Sequence, residues 1–215
     1  MRKVSVIIPA HNEEERIGNV LDVVKKSLLI NSIYVVDDGS TDNTSQVAES
    51  YNVNVLRLPE NKGKGFAVLY GVKNTESDVI LMLDADLINL KEEHIENLLN
   101  PVLQDNADMT IGIFSNGRFS TDLAQMISPF LSGQRAIKRW IFDEIDIEQV
   151  NQAGYAIEII LTNIAKKLEL RVMEVDLPNV SHVMKEEKMG FIKGSQARMK
   201  MYKDIFKGLI ISKQK

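Results

Sequence analysis

The sequence predicts an α/β domain with a mostly parallel sheet, helices on both of its faces and an amphipathic helix at the C-terminal end. Three observations lead there. Short β-branched runs read as buried strands. Stretches of helical period lie between them. The two kinds alternate in a β-α-β-α rhythm, which favours parallel strands joined by crossover helices.

Lys3–Pro9 (KVSVIIP) is the first strand. Arg16–Leu29 follows as a helix, with Ile17, Val20, Leu21, Val24 and Leu28 on one stripe. Ser32–Asp37 is the second strand, and the turn-rich DGSTDNT leads into a helix over Thr44–Tyr51. Val53–Leu58 is a strand, Gly63–Lys73 a helix, Val79–Asp84 a strand, Lys91–Leu103 a helix and Met109–Phe114 the fifth strand. This half is Rossmann-like. Past residue 115 the pattern loosens. SNGRFSTD is a loop, Leu123–Trp140 is mostly helical with breaks at Pro129 and Gly133, Tyr155–Lys167 is a helix and Arg171–Asp176 a strand. Ser195–Ile211 places Met201, Tyr202, Ile205, Phe206, Leu209 and Ile210 on one helical face and Lys200, Lys203 and Lys207 on another. No repeat or linker separates a second unit, so residues 1–215 read as one domain.

Composition narrows the chemistry. The 215 residues are 44% hydrophobic, enough for one sizeable core. A net charge of −4 argues against nucleic-acid binding through bulk charge. The absence of cysteine excludes disulfides, thiolate metal sites and thiol catalysis, and three histidines are too few for a His-rich centre. The charge is uneven: Lys185–Lys215 holds nine basic residues against three acidic ones, so the rest of the chain carries all of the acidic excess. Arg2 and Lys3 before an apolar run resemble the start of a leader, but the run is short, contains Ser5 and Pro9, and reads better as a strand. No stretch approaches the roughly 20 apolar residues of a membrane span. The expectation is a soluble cytoplasmic protein, with the basic tail suited to the inner face of a membrane.

In parallel α/β sheets ligands bind beyond the carboxyl ends of the strands. Three polar clusters fall there: His11–Glu15, Asp37–Asp42 and Asp84–Asp86. Asp84-Ala85-Asp86 puts two carboxylates at spacing i, i+2, which a hard cation such as Mg²⁺ or Mn²⁺ would reconcile. Asp37 and Asp38 could accept from a nucleobase or ribose. Asn61-Lys62-Gly63-Lys64-Gly65 opens a helix with amides and a lysine suited to phosphate. His182 follows a strand and could complete a metal site. His11 lacks such a context, and His94 reads as part of a charged helix face.

In this order the segments VSVIIPAHNEEERIGNVL, VVDDGSTDNT, NKGKGFAV and LMLDADL resemble the nucleotide-sugar glycosyltransferases of the GT-A fold, family 2, across residues 3–115. The resemblance implies a nucleotide-sugar-binding half over 3–115, an acceptor half over 116–194 and the basic helix over 195–215. It implies that Pro9, Ala10, Glu13, Asp38, Lys64, Asp84 and Ala85 hold a UDP- or GDP-sugar, and that Asp86 and His182 hold Mg²⁺ or Mn²⁺. SPFLSGQRAIKRW and NQAGYAIEI are similar to the glucosyl- and mannosyl-3-phosphoglycerate synthases, which retain anomeric configuration. That implies acceptor contacts from Ser132, Gly133, Gln134 and Arg135, and Glu158 falls in the group's Gly-Tyr-x-x-Glu segment. A retaining reaction would need a donor-face group such as the backbone around Leu131–Ser132, whereas an inverting one needs a carboxylate base, for which Glu158 stands first as a catalytic residue beside Asp86. Asp143 and Glu144 are the other candidate bases for an inverting reaction. Arg135, Lys138 and Arg139 read as a basic cluster for a phosphate-bearing or lipid-linked acceptor. Two alternatives stand: a retaining synthase of a glycosyl-phosphoglycerate-type solute, and a non-catalytic nucleotide-sugar-binding regulator. Nucleotidyl transfer would want a glycine-rich loop where this chain has PAHNEEER.

Overall fold

The computed structural model describes residues 2–114, 132–146, 150 and 157–182. Strands β1 (Val4–Ala10), β2 (Ser32–Asp37), β3 (Asn54–Arg57), β4 (Val79–Met82), β6 (Met109–Ile113), β7 (Arg135–Lys138) and β8 (Val172–Asp176) form one sheet in the order β3-β2-β1-β4-β7-β6-β8. β7 runs antiparallel between β4 and β6, and every other pairing in this sheet is parallel. A second, two-stranded sheet pairs β5 (Leu87–Ile88) with β9 (Ser181–His182).

Alternation along the strands sends side chains to two cores. Val4, Val6, Ile8 and Ala10 join Val35, Leu81 and Ala136 against helices α1 (Ile17–Val24), α2 (Thr44–Ser50) and α4 (Glu92–Leu103). Ile7, Val36, Ile80, Met82 and Ile137 face α3 (Lys64–Lys73), a 3₁₀ helix (Arg139–Glu144) and α5 (Ile157–Lys167). The expected mostly parallel sheet with helices on both faces is therefore present.

Three expectations change. Arg135–Lys138 is a strand, not the end of a helix, because β4 and β6 offer it hydrogen bonds on both edges. Leu28, expected on the buried stripe of the first helix, is 99% exposed, since that helix ends at Val24. His94 is buried rather than on a charged surface, and its Nδ1 accepts from the Lys91 backbone N–H at 3.1 Å to cap α4. The helix expected over 195–211, the SNGRFSTD loop, Leu123–Leu131 and Tyr155 lie outside the described residues.

Candidate active site

β1, β2 and β4 are parallel and end at one edge, so the residues just past them meet there. Asp37 closes β2. Its Oδ1 accepts from the Ser40 N–H at 2.8 Å, and its Oδ2 accepts from the Ser45 hydroxyl. The turn between them needs Gly39: φ is +67°, and a Cβ would lie 2.5 Å from the Glu60 carbonyl carbon. Asp38 reaches the neighbouring loop, where its two oxygens accept from the N–H groups of Lys62 at 2.7 Å and Gly63 at 2.8 Å. The consecutive aspartates thus tie two loops together, an arrangement the motif alone did not reveal. Glu13 sits in the same wall; its N–H donates to Thr44 Oγ1 at 2.8 Å and its carboxylate faces Arg16 at 3.5 Å. Pro9 and Ala10 form the end of β1, where Ala10 O accepts from the Asp38 N–H at 2.8 Å.

The acidic triplet lies beyond β4 rather than within it. Asp84 and Asp86 are brought to one place by the turn into β5, not by strand alternation. β5 pairs with β9 in a register that puts Leu87 opposite His182. His182 Nδ1 donates to Asp86 Oδ1 at 3.2 Å, and its Nε2 lies 3.7 Å from Asp84 Oδ2. Each of Asp84, Asp86 and His182 offers a ligand atom within 4.8 Å of the others. Two carboxylates and an imidazole suit Mn²⁺ or Mg²⁺, so the chemistry of these donors fits such an ion. Partial burial lowers the His182 pKa, but the hydrogen bond to Asp86 and the charges of Asp84 and Asp86 outweigh it and raise the value.

Lys64, at the start of α3, links this group to α5. Its Nζ lies 2.6 Å from Asp84 Oδ1 and 2.5 Å from Glu158 Oε1. Desolvation opposes the ammonium, yet the two carboxylates prevail and hold Lys64 above its ordinary pKa. Gln134 Nε2 donates to Asp84 Oδ2 at 3.1 Å. Gly133 packs so closely that a Cβ would stand 2.5 Å from Lys64 Nζ and 2.8 Å from Asp84 Oδ1. Ser132 turns its hydroxyl to the Gly112 carbonyl at 2.5 Å. Sequence reading missed the Lys64–Glu158 pair; 94 positions separate the partners, and only the fold joins them.

Several expected residues lie elsewhere. Ala85 is buried in the core on the α1 and α4 side. Arg135 is fully buried beneath the site. The basic cluster is split, because β7 carries the chain away from the site. Lys138 pairs with Val79 at the opposite edge and contacts Asp105 and Asp108 at 2.7 Å each. Arg139 contacts Asp143 at 2.8 Å on the 3₁₀ helix that follows. His11 donates from Nδ1 to the Asp38 carbonyl at 2.8 Å.

A twisted parallel sheet with one antiparallel strand, and an acidic turn just past its central parallel strand, is the architecture of a GT-A domain. Residues 5–160 match the model of glycosyl transferase family 2, and the chain belongs to that family. Over 104 residues, 46% of this chain, it is 35% identical to 4,4'-diaponeurosporenoate glycosyltransferase of Staphylococcus aureus. The match takes in 28% of that relative's length, so the chain spans well under half of it. Among solved structures, glucosyl-3-phosphoglycerate synthase from Mycobacterium tuberculosis in complex with Mn²⁺, UDP and glucosyl-3-phosphoglycerate matches with a TM-score of 0.72 at 26% identity. That match covers 85% of this chain and 72% of that one. The same enzyme with Mn²⁺, UDP-glucose and phosphoglyceric acid matches over the same shares, with a TM-score of 0.71 at 26% identity.

Proposed function

We propose that this domain is a metal-dependent hexosyltransferase, moving a sugar from a UDP- or GDP-sugar to the hydroxyl of a phosphate-bearing acceptor. The convergence of Asp84, Asp86 and His182 at the carboxyl edge is the observation that carries this reading. Asp86 and His182 would hold Mn²⁺ or Mg²⁺, with Asp84 beside them. Bound there, the ion supplies positive charge against the diphosphate that leaves as the glycosidic bond breaks.

The chain's own groups do the rest. The wall formed by Pro9, Ala10, Glu13 and Asp38 receives the nucleoside, and Asp38 keeps the Lys62–Gly63 loop in place. Lys64 is cationic and one-quarter exposed, and it turns from its carboxylate partners toward the departing diphosphate. Glu158, largely buried across Lys64 from Asp84, takes a proton from the acceptor hydroxyl in this reading once Lys64 has moved aside. The acceptor oxygen then bonds to the anomeric carbon, and the nucleoside diphosphate leaves with the bonding pair. Ser132, Gly133 and Gln134 border the acceptor. Arg135, being buried, does not reach it.

The similarity to a synthase solved with phosphoglyceric acid supports a small phosphorylated acceptor. A lipid-linked acceptor is a second reading, favoured by the basic, amphipathic sequence of 195–211. Among the described residues, no helix is long and apolar enough to cross a membrane. The test is turnover of UDP-glucose and GDP-mannose with Mn²⁺, offered 3-phosphoglycerate or polyprenyl phosphate. Transfer that needs both the metal and Asp86 supports the reading. Donor binding without turnover on any acceptor favours the regulator instead.

A further inference from the structure

The geometry points to Arg135 as a positioning residue, whose buried guanidinium holds Glu158 and the Gly133 backbone against Lys64. The inference rests on the roles proposed above for Glu158 and Lys64. Arg135 leaves β7 on the α5 side and is among the largest fully buried side chains among the described residues. Nε donates to the Ser132 carbonyl at 2.8 Å, and Nη1 donates to Thr162 Oγ1 at 3.0 Å. Thr162 Oγ1 donates in turn to the Glu158 carbonyl at 2.7 Å, one turn earlier in α5.

One arm therefore fixes the loop that presses Gly133 onto Lys64 and Asp84, where no side chain fits. The other arm fixes the turn of helix that presents Glu158 to Lys64 at 2.5 Å. Stability does not account for the choice of arginine. A buried ion loses its hydration, and apolar side chains of similar volume often serve as well or better. Methionine would fill this space beside Met109, whose sulfur is 3.8 Å from Nη1. Burial pulls the guanidinium pKa down to about 10, opposed by the Glu158 charge, so the cation persists at neutral pH. What arginine adds is donors aimed at Ser132 and Thr162, and a charge under Glu158. When a donor's diphosphate draws Lys64 aside, Arg135 keeps Glu158 and the loop in place.

The test compares Arg135→Met and Arg135→Lys using UDP-glucose, Mn²⁺ and 3-phosphoglycerate, with folding checked by circular dichroism. We expect kcat of Arg135→Met to fall about a hundredfold, the cost of misplacing a reacting group by about 1 Å. KM for UDP-glucose should stay near wild type, and Arg135→Lys should recover part of the rate. Where Arg135→Met does not fold, Thr162→Val takes its place: it keeps the volume and cuts only the arm to Glu158. Unchanged kcat in a folded variant overturns the inference, as does KM rising in step with the fall in kcat. If the wild type transfers nothing, the transfer reading fails, and an unfolding cycle of Arg135→Met with Glu158→Gln decides the matter. Non-additive urea midpoints then support the coupling of Arg135 to Glu158, and additive midpoints remove it.

Discussion

At the amino edge of the sheet, Arg2, Lys138 and Arg171 close on Asp105 and Asp108. Lys138 lies 2.7 Å from each aspartate, Arg171 lies 2.8 Å from Asp108, and Arg2 pairs with Asp105. At the carboxyl edge, Asp84, Asp86 and Glu158 share one lysine and one histidine. The first network has cations to spare and clamps the starts of β1, β6 and β8 to the end of β7. Among the described residues, the second gathers three carboxylates around Lys64 and one imidazole, and brings Asp84, Asp86 and His182 within reach of a single cation. Charged clusters that neutralise themselves act as structure, and a cluster left anionic in a cleft is poised for a ligand.

The comparison breaks most visibly if the anionic edge can lose a carboxylate without consequence. Asp86→Ala should lower turnover about a thousandfold, the loss expected when a group that stabilises developing charge is removed, with the circular dichroism spectrum unchanged. Gly133→Ala should follow at about a hundredfold, since its Cβ displaces Lys64 or Asp84. Steady-state kinetics on both variants checks these values.

The amino edge should answer to acid rather than to substrate. Hydrogen bonds from Arg171 hold Asp108 well below the usual carboxylate range, and Arg2 and Lys138 push Asp105 down to about 2. A depressed native pKa contributes stability above the unfolded value of about 4, which is lost as pH falls through the native value. Asp108→Asn should therefore lower stability at neutral pH by on the order of 1 kcal/mol, with the gap to wild type closing in acid. Thermal melts of both proteins from neutral pH into acid measure this, and turnover at neutral pH should not change. Lys138→Ala sharpens the contrast with the smallest effect. If Lys138 belongs to the amino edge, the KM for a phosphorylated acceptor does not move. A raised KM would return Lys138 to the site.

What could be read in the sequence follows the same division. Strands β1 to β4 and β6 were legible because each is a short β-branched run between helical periods. The pairing of Asp84 with Asp86 was legible because the two are near neighbours in the chain, although the turn that brings them together was not. β7 was not, because Arg135–Lys138 carries no strand pattern of its own and takes its conformation from β4 and β6. The basic cluster misled for the same reason: adjacent in a presumed helix, Arg135, Lys138 and Arg139 part company along a strand. His94 gave no sign of burial, since its charged neighbours concealed its capping bond. The Lys64–Glu158 contact depends on how α3 and α5 pack, which no local pattern encodes.

The central claim is that Asp86 and His182 grip a divalent ion carrying the donor's diphosphate. Anomalous diffraction at the manganese edge, from crystals grown with Mn²⁺ and UDP, tests it directly. A peak within bonding distance of Asp86 and His182, with the diphosphate against it, is the predicted result. A peak at Asp105 and Asp108, or UDP seated with no manganese beside Asp86, would contradict it.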